Sequence, residues 1–309
     1  MAAASTLALR KSLFALQASE PSPDAGQQSL LQSMRTAAAI ATIQTTKLTD
    51  TIFLLHGVGA NIVVLVGPDG QLLIDAGMAT GTHRLLEALT KLAPHPLKLL
   101  INTSWLFDHT DGNAALHAAG AFIIAQENVR LRLSAPQKIP VFNLDLPSSP
   151  ASALPQQTFA DQEKLYFDND DLSLVHAPYA STDSDIFVHF AHGNVIHTGD
   201  LWFNNAYPII ETGSGGTING MIQGVDQILQ LADDKTKIVP SHGPLGNKSA
   251  LADYRQMLAT VANRVEKLKI AGQALDQVLA AKVTADLDND WSHGEITSAM
   301  FLTAVYNTL

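Results

Sequence analysis

Residues 101–113 read INTSWLFDHTDGN, and this stretch is the most informative about the fold and chemistry of the chain. It follows Leu97–Ile101, a continuous apolar run typical of a buried strand, so the loop should lie at that strand's carboxyl end. Asp108 and His109 are neighbours within it. On a regular strand their side chains would point to opposite faces, so the pair can reach one metal ion only from an irregular loop. Alone, such a pair is more often a helix-capping aspartate beside a hydrogen-bonded histidine.

The pattern before this loop predicts an antiparallel meander and then a helix. Runs rich in Val, Ile and Leu, separated by glycine-containing turns, predict strands at Thr51–His56, Asn61–Val66 and Gln71–Asp75. Apolar residues at helical spacing predict a helix over Thr82–Leu92. Before the meander, residues 1–45 have no strand pattern and predict an extension made of a tail and a helix around Gln27 to Ile43.

After the loop, helices and buried strands alternate, and a second meander is followed by a helical end. Strands are predicted at Ala121–Ala125, Leu172–His176, Ile186–Phe190, Asn194–Thr198 and Lys237–Val239, and helices at Gly112–Ala119, Asn219–Ala232, Ala250–Ala271, Leu275–Lys282 and Glu295–Tyr306. A long Pro/Ser-rich connection spans Ala135 to Gln157. This order predicts an α+β domain over residues 46–309, in which two mixed sheets lie between layers of helices.

Composition narrows the possible chemistry and partners. The net charge is −10 without a dense basic run, so neither nucleic acid nor an anionic membrane is an expected partner. The absence of cysteine excludes thiolate zinc sites and cysteine nucleophiles, leaving His, Asp and Glu as metal ligands. No segment approaches the roughly 18 apolar residues that span a bilayer, so we expect a soluble protein, cytoplasmic, periplasmic or secreted. The run Ser12–Leu16 after Arg10 and Lys11 is too short for a signal peptide, which favours an N-terminal extension.

Three later segments, like the 101–113 loop, contain Asp or His next to a predicted strand. Residues 180–185 read ASTDSD, residues 194–200 read NVIHTGD and residues 238–244 read IVPSHGP. In this order, the four segments resemble the metallo-β-lactamase superfamily over roughly residues 50–245. The family's usual motifs are His-x-His-x-Asp-His, Ala-His-Thr-Asp-Gly-Asp, Gly-Asp and Gly-His-Gly-Pro. The resemblance implies a four-layer αβ/βα sandwich and hydrolysis of an ester, lactone, thioester, β-lactam or similar bond by metal-activated water.

Matched to these motifs, the chain retains only one of the family's two metal sites. The positions that supply imidazoles to the first metal hold Ser104, Leu106 and Ser181. Leucine cannot bind a metal, and a neutral serine hydroxyl is a poor zinc ligand. The second metal's residues are retained: Asp108, His109, His242 and the shared Asp200. The resemblance therefore predicts at most one divalent metal ion, zinc first, with iron or manganese as alternatives.

Three functional interpretations follow from this half-retained site. In the first, the chain is a one-metal hydrolase of a small-molecule substrate, with Asp108 and Asp200 as catalytic residues. In the second, it is a non-hydrolytic descendant that keeps the pocket for a ligand or partner, since two imidazoles and two carboxylates fill a tetrahedral shell as structural sites do. In the third, Ser104 or Ser181 is a nucleophile with His109 as base, although no Gly-x-Ser-x-Gly elbow supports this. The sequence leaves the oligomeric state open.

Supporting residues are predicted around the site. His197 should point away from Asp200, because the two lie three residues apart in a strand, and a structural role is favoured. Asp183 and Asp185 are candidates for orienting metal ligands. Four aromatic residues near the site in sequence are expected to pack in the core or form an apolar wall: Trp105, Trp202, Phe203 and Tyr207.

Overall fold

The computed structural model describes residues 23–309, with side chains from residue 31 onward. The strands, in chain order, are β1 (Gln44–Lys47), β2 (Ile52–His56), β3 (Ile62–Gly67), β4 (Gly70–Ile74), β5 (Leu97–Asn102), β6 (Phe122–Gln126), β7 (Gln137–Ile139), β8 (Leu144–Leu146), β9 (Gln157–Phe159), β10 (Gln162–Phe167), β11 (Asp170–His176), β12 (Ile186–Phe190), β13 (Val195–His197) and β14 (Lys237–Val239). The helices are α1 (Pro23–Ile40), α2 (Thr82–Leu92), α3 (Phe107–Thr110), α4 (Asn113–Ala118), α5 (Glu127–Leu133), α6 (Ile218–Leu231), α7 (Lys248–Ile270), α8 (Leu275–Ala280), α9 (Asp288–Trp291) and α10 (Ser298–Thr308).

Two mixed sheets form the centre of the molecule. The first has the order β1-β2-β3-β4-β5-β6-β9, antiparallel up to β4 and parallel beyond it. The second has the order β10-β11-β12-β13-β14, antiparallel except for the β13–β14 pair. Strands β7 and β8 form a separate hairpin. The predicted meander of β2, β3 and β4 is confirmed.

The core consists of apolar layers on both faces of these sheets. Between the sheets, residues such as Val63 and Ile101 of the first pack with Leu172 and Val188 of the second. On its other face the first sheet buries α2 through Leu85 and Leu89. The second sheet is covered by α6, α7 and α10. The order helix, sheet, sheet, helix confirms the predicted four-layer sandwich.

Some element boundaries differ from the prediction. The helix predicted at Glu295–Tyr306 begins instead at Ser298, because the Thr297 side chain accepts the Met300 N–H and caps the helix there. The Ala135–Gln157 connection contains the β7–β8 hairpin. Strands β1 and β10 were not predicted, since their mostly exposed side chains give little apolar alternation.

The N-terminal part of the chain is described only from residue 23. Helix α1 corresponds to the helix predicted around Gln27 to Ile43, and the segment around Arg10 to Leu16 lies outside the described residues. The division into an extension and a domain at residues 45 and 46 stays a prediction. Among the described helices, none combines the length and the apolar character needed to cross a membrane.

Candidate metal centre

Asp108 and His109 lie on the short helix α3, which follows β5 directly after a turn. Successive side chains of a helix are about 100° apart rather than opposed, so both can face one point. The loop is fixed from behind by Asn102, whose Nδ2 donates to the carbonyl oxygen of His109 at 3.0 Å. Asn102 also exchanges side-chain hydrogen bonds with Asn113. The irregular loop that the sequence required is thus a helical turn held by buried amides.

His242 joins this pair from the turn after β14, which is an edge strand of the second sheet. One potential ligand atom from each of Asp108, His109 and His242 lies within 4.8 Å of the others. His242 Nε2 is 2.9 Å from Asp108 Oδ2, and His109 Nε2 is 3.9 Å from the same oxygen. The His242 ring stacks on Phe203 with centroids 5.0 Å apart, which fixes its orientation. We call these three residues the ligand trio.

A glycine is required after His242. Gly243 has φ +95°, and a Cβ at this position would lie 2.2 Å from the carbonyl oxygen of Asn204. Both the conformation and the close approach exclude a side chain. The turn that carries His242 back toward α3 therefore depends on this glycine.

Asp200 approaches the trio through His109. It follows β13 in a single 3₁₀ turn, Gly199–Leu201, and its Oδ1 is 3.1 Å from His109 Nε2. The side chain is only 1% exposed. Neither carboxylate oxygen of Asp200, nor His109 Nε2, has a hydrogen-bond partner among the described residues. Buried polar atoms without partners are rare in proteins, and a cation is one group that satisfies them.

The sequence interpretation missed Asp75. Its Oδ2 accepts a hydrogen bond from His109 Nδ1 at 2.8 Å, and both the N–H and the hydroxyl of Thr103 donate to the same carboxylate. This contact holds a proton on Nδ1, so that Nε2 would be the atom that binds a metal ion, as in carboxylate–histidine–metal arrangements. The available signal was an acidic residue directly after the apolar strand β4 and just before Gly77.

Burial and nearby opposite charges both shift the pKa values of the site residues. Burial alone would raise the pKa of Asp108, but His109 and His242 outweigh it and lower that pKa to about 2. Burial opposes a charged His109, yet the carboxylates of Asp200, Asp75 and Asp108 raise its pKa well above the ordinary value. The pKa of His242 is also raised, because Asp108 outweighs the effect of burial. The site therefore attracts positive charge, either as protons or as a metal ion.

The three positions that are predicted to have lost the first metal's histidines are buried. Ser104 and Ser181 are fully buried and Leu106 is 2% exposed. Neither serine hydroxyl has a hydrogen-bond partner among the described residues, and the His109 ring faces Asp75 and Asp200 instead. This geometry gives no support to a serine nucleophile activated by His109, because the two groups of such a pair must be hydrogen-bonded.

The two aspartates near Ser181 differ in surroundings. Asp183 pairs with Arg132 at 2.6 Å and is partly exposed. Asp185 is fully buried, and its Oδ2 accepts the Thr182 N–H. Burial, reinforced by the charge of Asp200, raises the pKa of Asp185 to about 7.

His197 and the nearby aromatic residues occupy separate roles. His197 is fully buried, accepts the Gly199 N–H and contacts the Asn61 carbonyl at 3.0 Å, so it supports the turn before Asp200. Trp105 and Trp202 are buried in the core. Phe203 and Tyr207 contribute to a cavity wall, so both expectations for the aromatic residues hold.

That cavity, with a volume of about 440 Å³, opens beside the trio. Asp108 and His242 line it directly. His293 is exposed and also lines this cavity. The wall draws on α1 and on the segment before α10, which are far from the trio in sequence.

Comparison with known proteins identifies the family. The family model described as the metallo-beta-lactamase superfamily matches residues 56–243, more than half of the chain. The chain therefore belongs to the metallo-β-lactamase superfamily. No curated protein sequence matches it significantly.

Solved structures agree with the fold at low sequence identity. A metallo-β-lactamase from Pontibacter korlensis is 19% identical with a TM-score of 0.59, covering 70% of this chain and 99% of its own. The inverting sec-alkylsulfatase Pisa1 from Pseudomonas sp. is 19% identical with a TM-score of 0.64; the match covers 90% of this chain but 51% of the sulfatase. The DIM-1 metallo-β-lactamase is 16% identical with a TM-score of 0.57, covering 71% and 97% of the two chains.

Proposed function

We propose that the chain is a hydrolase that works with a single divalent metal ion, zinc first and iron or manganese as alternatives. The ligand trio would hold the ion, and the substrate would be a small molecule with an ester, lactone or related acyl bond. The observation that carries this proposal is that Asp108 and His242 line the cavity. Structural metal sites are closed by four protein ligands, whereas catalytic sites keep a position open. Three ligands beside a cavity match the second arrangement.

The donor set suits such an ion. Two imidazoles and a carboxylate form a common ligand set for catalytic zinc. The contact between Asp75 and the Nδ1 of His109 keeps the Nε2 lone pair free for the metal, and stacking on Phe203 orients His242. We assign Asp200 the role of proton acceptor rather than fourth ligand, because its short contact is to His109 and it lies outside the trio.

The reaction then divides between the ion and the protein. A bound divalent ion supplies Lewis acidity toward the substrate carbonyl and the attacking water. Asp200 accepts a proton as the water oxygen bonds to the acyl carbon. The acyl–oxygen bond breaks, and the departing alkoxide takes the proton from Asp200. The products are a carboxylic acid and an alcohol, or a hydroxy acid from a lactone.

A second candidate is a binding protein without turnover. The replacement of three first-metal ligands by Ser104, Leu106 and Ser181 favours it, since two-metal members of the fold would lose one ion at these positions. In this case the cavity binds its ligand and the trio contributes only to stability or orientation. Metal content does not separate the two candidates, but hydrolysis does.

The test compares metal content and ester hydrolysis in matched histidine variants. Removing one of three ligands should abolish metal retention, so His242→Ala should contain no tightly bound ion and hydrolyse nothing. His95→Ala is the control, because this exposed histidine lies outside both the trio and the cavity. It should keep both properties.

Asp200→Asn separates the two roles of Asp200. As a proton acceptor, Asp200 should be dispensable for metal content, so the variant should keep the ion and lose hydrolysis. Loss of the ion from this variant would make Asp200 a ligand. Full metal content in His242→Ala would refute the assignment of the trio, and a metal-loaded wild type inert toward all esters and lactones would favour the binding protein.

A further inference from the structure

Much of the wall of the cavity beside the trio is apolar. Its apolar lining includes Leu106, Phe142, Phe203, Ile209 and Ile296, with Met34 contributed by α1. Leu106 stands where the two-metal family members place an imidazole, so the lost ligand has become hydrocarbon wall. The volume of about 440 Å³ lies within the range of pockets that enclose small molecules.

The polar side chains of the lining are largely engaged with the protein itself. The Tyr207 hydroxyl donates to Asp288 at 2.8 Å, so the tyrosine presents its ring rather than its hydroxyl. Asn204 Nδ2 donates to the Pro244 carbonyl at 2.8 Å. Asp108 and His242 are paired with each other. The other polar side chains of the described lining, which are Asn205, His293 and Glu295, are exposed. In the buried part of the cavity, a ligand therefore meets polar groups mainly at Asp108 and His242.

Away from the trio, the described lining includes an acid but neither lysine nor arginine. Asp108 and Glu295 line the cavity together with His242 and His293, and among the side chains described from residue 31 onward no lysine or arginine does. The net charge of the chain, −10, adds to the unfavourable potential for anions. A carboxylate or sulfate held away from the trio would enter an apolar space without a lysine or arginine to pair with it, which is strongly unfavourable.

We propose that this cavity binds neutral esters or lactones, with the hydrocarbon part against the wall formed by Leu106, Phe203, Ile209 and Ile296. The proposal rests on the proposed function in placing the reacting bond at the trio. It separates the chain from enzymes of this fold whose substrates carry a permanent anion. The cavity therefore recognises an uncharged molecule that has one polar end.

The first test measures binding alone, so that it does not depend on turnover. Octanamide and octanoate have the same hydrocarbon chain but differ in charge. Titration calorimetry of the full chain, treated with a chelator so that no metal binds the carboxylate, should give at least about tenfold tighter binding of octanamide. Equal affinities, tighter binding of octanoate, or no binding of octanamide would overturn the proposal.

The second test changes the charge of the lining at an exposed position, where folding is not at risk. Glu295→Lys replaces the acid at the cavity edge with a cation and should reduce the preference for octanamide by about threefold or more at low salt. Glu266→Lys is the control, because it makes the same charge change at an exposed site on α7 outside the cavity. Its preference should equal that of the wild type. An unchanged ratio in Glu295→Lys, or an equal shift in both variants, would overturn the assignment of the cavity.

The two proposals fail separately. Preferential binding of octanamide without any ester hydrolysis leaves this inference standing and refutes the proposed function. Hydrolysis that does not discriminate between neutral and anionic esters does the reverse.

Discussion

Single residues around the trio determine how the imidazoles are presented. Asp75 is the clearest case, because it holds His109 by a carboxylate contact at 2.8 Å while binding Thr103 with both oxygens. Its backbone has φ +70°, an uncommon conformation for a residue other than glycine. The local conformation is therefore fixed by the hydrogen bonds it makes.

Replacing Asp75 should weaken metal binding without removing a ligand. In Asp75→Asn the amide cannot accept from both Thr103 and His109 with the strength of a carboxylate, so we expect metal affinity to fall by about 10–100-fold. Competition with a coloured chelator measures this. Asp171→Asn, an exposed change on β11, should leave the affinity unaltered. Wild-type affinity in Asp75→Asn would contradict the orienting role.

Asp185 should make the metal-free protein less stable as the pH rises. Its pKa is about 7 in the folded chain against an ordinary 3.8, so between these values the folded state binds a proton that the unfolded state does not. Stability therefore declines as the pH rises through this window and stays lower above it. Asp185→Asn has no proton to lose. Its unfolding free energy should match that of the wild type near pH 4 and exceed it at pH 8, by about 2–4 kcal/mol.

Urea titrations of chelator-treated protein at several pH values measure this difference. Asp171→Asn again serves as the control and should follow the wild type. Parallel stability curves for Asp185→Asn and the wild type across pH 4–8 would show that Asp185 is ionised in the folded chain.

At the scale of elements, α1 is attached to the metal loop. Arg35 makes two hydrogen bonds to Asp111, at 3.1 Å and 2.7 Å, and Asp111 also accepts the Ala79 N–H. Asp111 lies three residues after Asp108. Since Met34 of the same helix lines the cavity, this ion pair joins the loop and the cavity wall.

The pair should contribute measurably because it is bidentate and partly buried, with side-chain exposures of 37% and 14%. We expect Arg35→Ala to lower the unfolding free energy by about 1 kcal/mol, the value being reduced by solvent screening. A double-mutant cycle with Asp111→Ala isolates the interaction. The exposed pair Lys47–Asp50 is the comparison and should show no measurable coupling. Zero coupling between Arg35 and Asp111 would mean that other contacts hold α1.

The helices and strands differ in how well the sequence predicted them. Buried strands such as β3 and β5 and the amphipathic helix α2 have strong periodic signals, and they lie where expected. Edge strands such as β10 do not, because one or both faces remain in solvent. The cavity wall was not predictable, since Met34, Phe142 and Ile296 meet only through tertiary packing. Asp75 was missed because an aspartate after a strand is equally typical of a turn.

At the scale of the whole molecule, we propose that the chain retains only one of the family's two metal sites. Elemental analysis should therefore find at most one tightly bound divalent ion per chain. A value close to two, or a structure with metal near Ser104, would contradict this. Hydrolysis of generic esters, lactones or β-lactams by the wild type should be weak, because one cation must acidify water without a second.

Restoring the first site requires all three imidazoles. The triple change Ser104→His, Leu106→His and Ser181→His should allow a second ion and raise hydrolysis, whereas each single change should do little, because one imidazole does not hold a metal. The positions are buried, so the added volume should lower the unfolding free energy by about 1–3 kcal/mol per site. Wild-type turnover at ordinary enzyme rates, about 1–1000 per second, would show instead that one ion is sufficient.

Leu106, which stands where the family motif has a histidine, also lines the apolar cavity wall. A descendant that regained histidine there would acquire a ligand and at the same moment make its pocket smaller and more polar. Metal binding and the polarity of the cavity wall would thus change together at this residue. A return to two metal ions through this position would therefore also change which substrates the cavity admits.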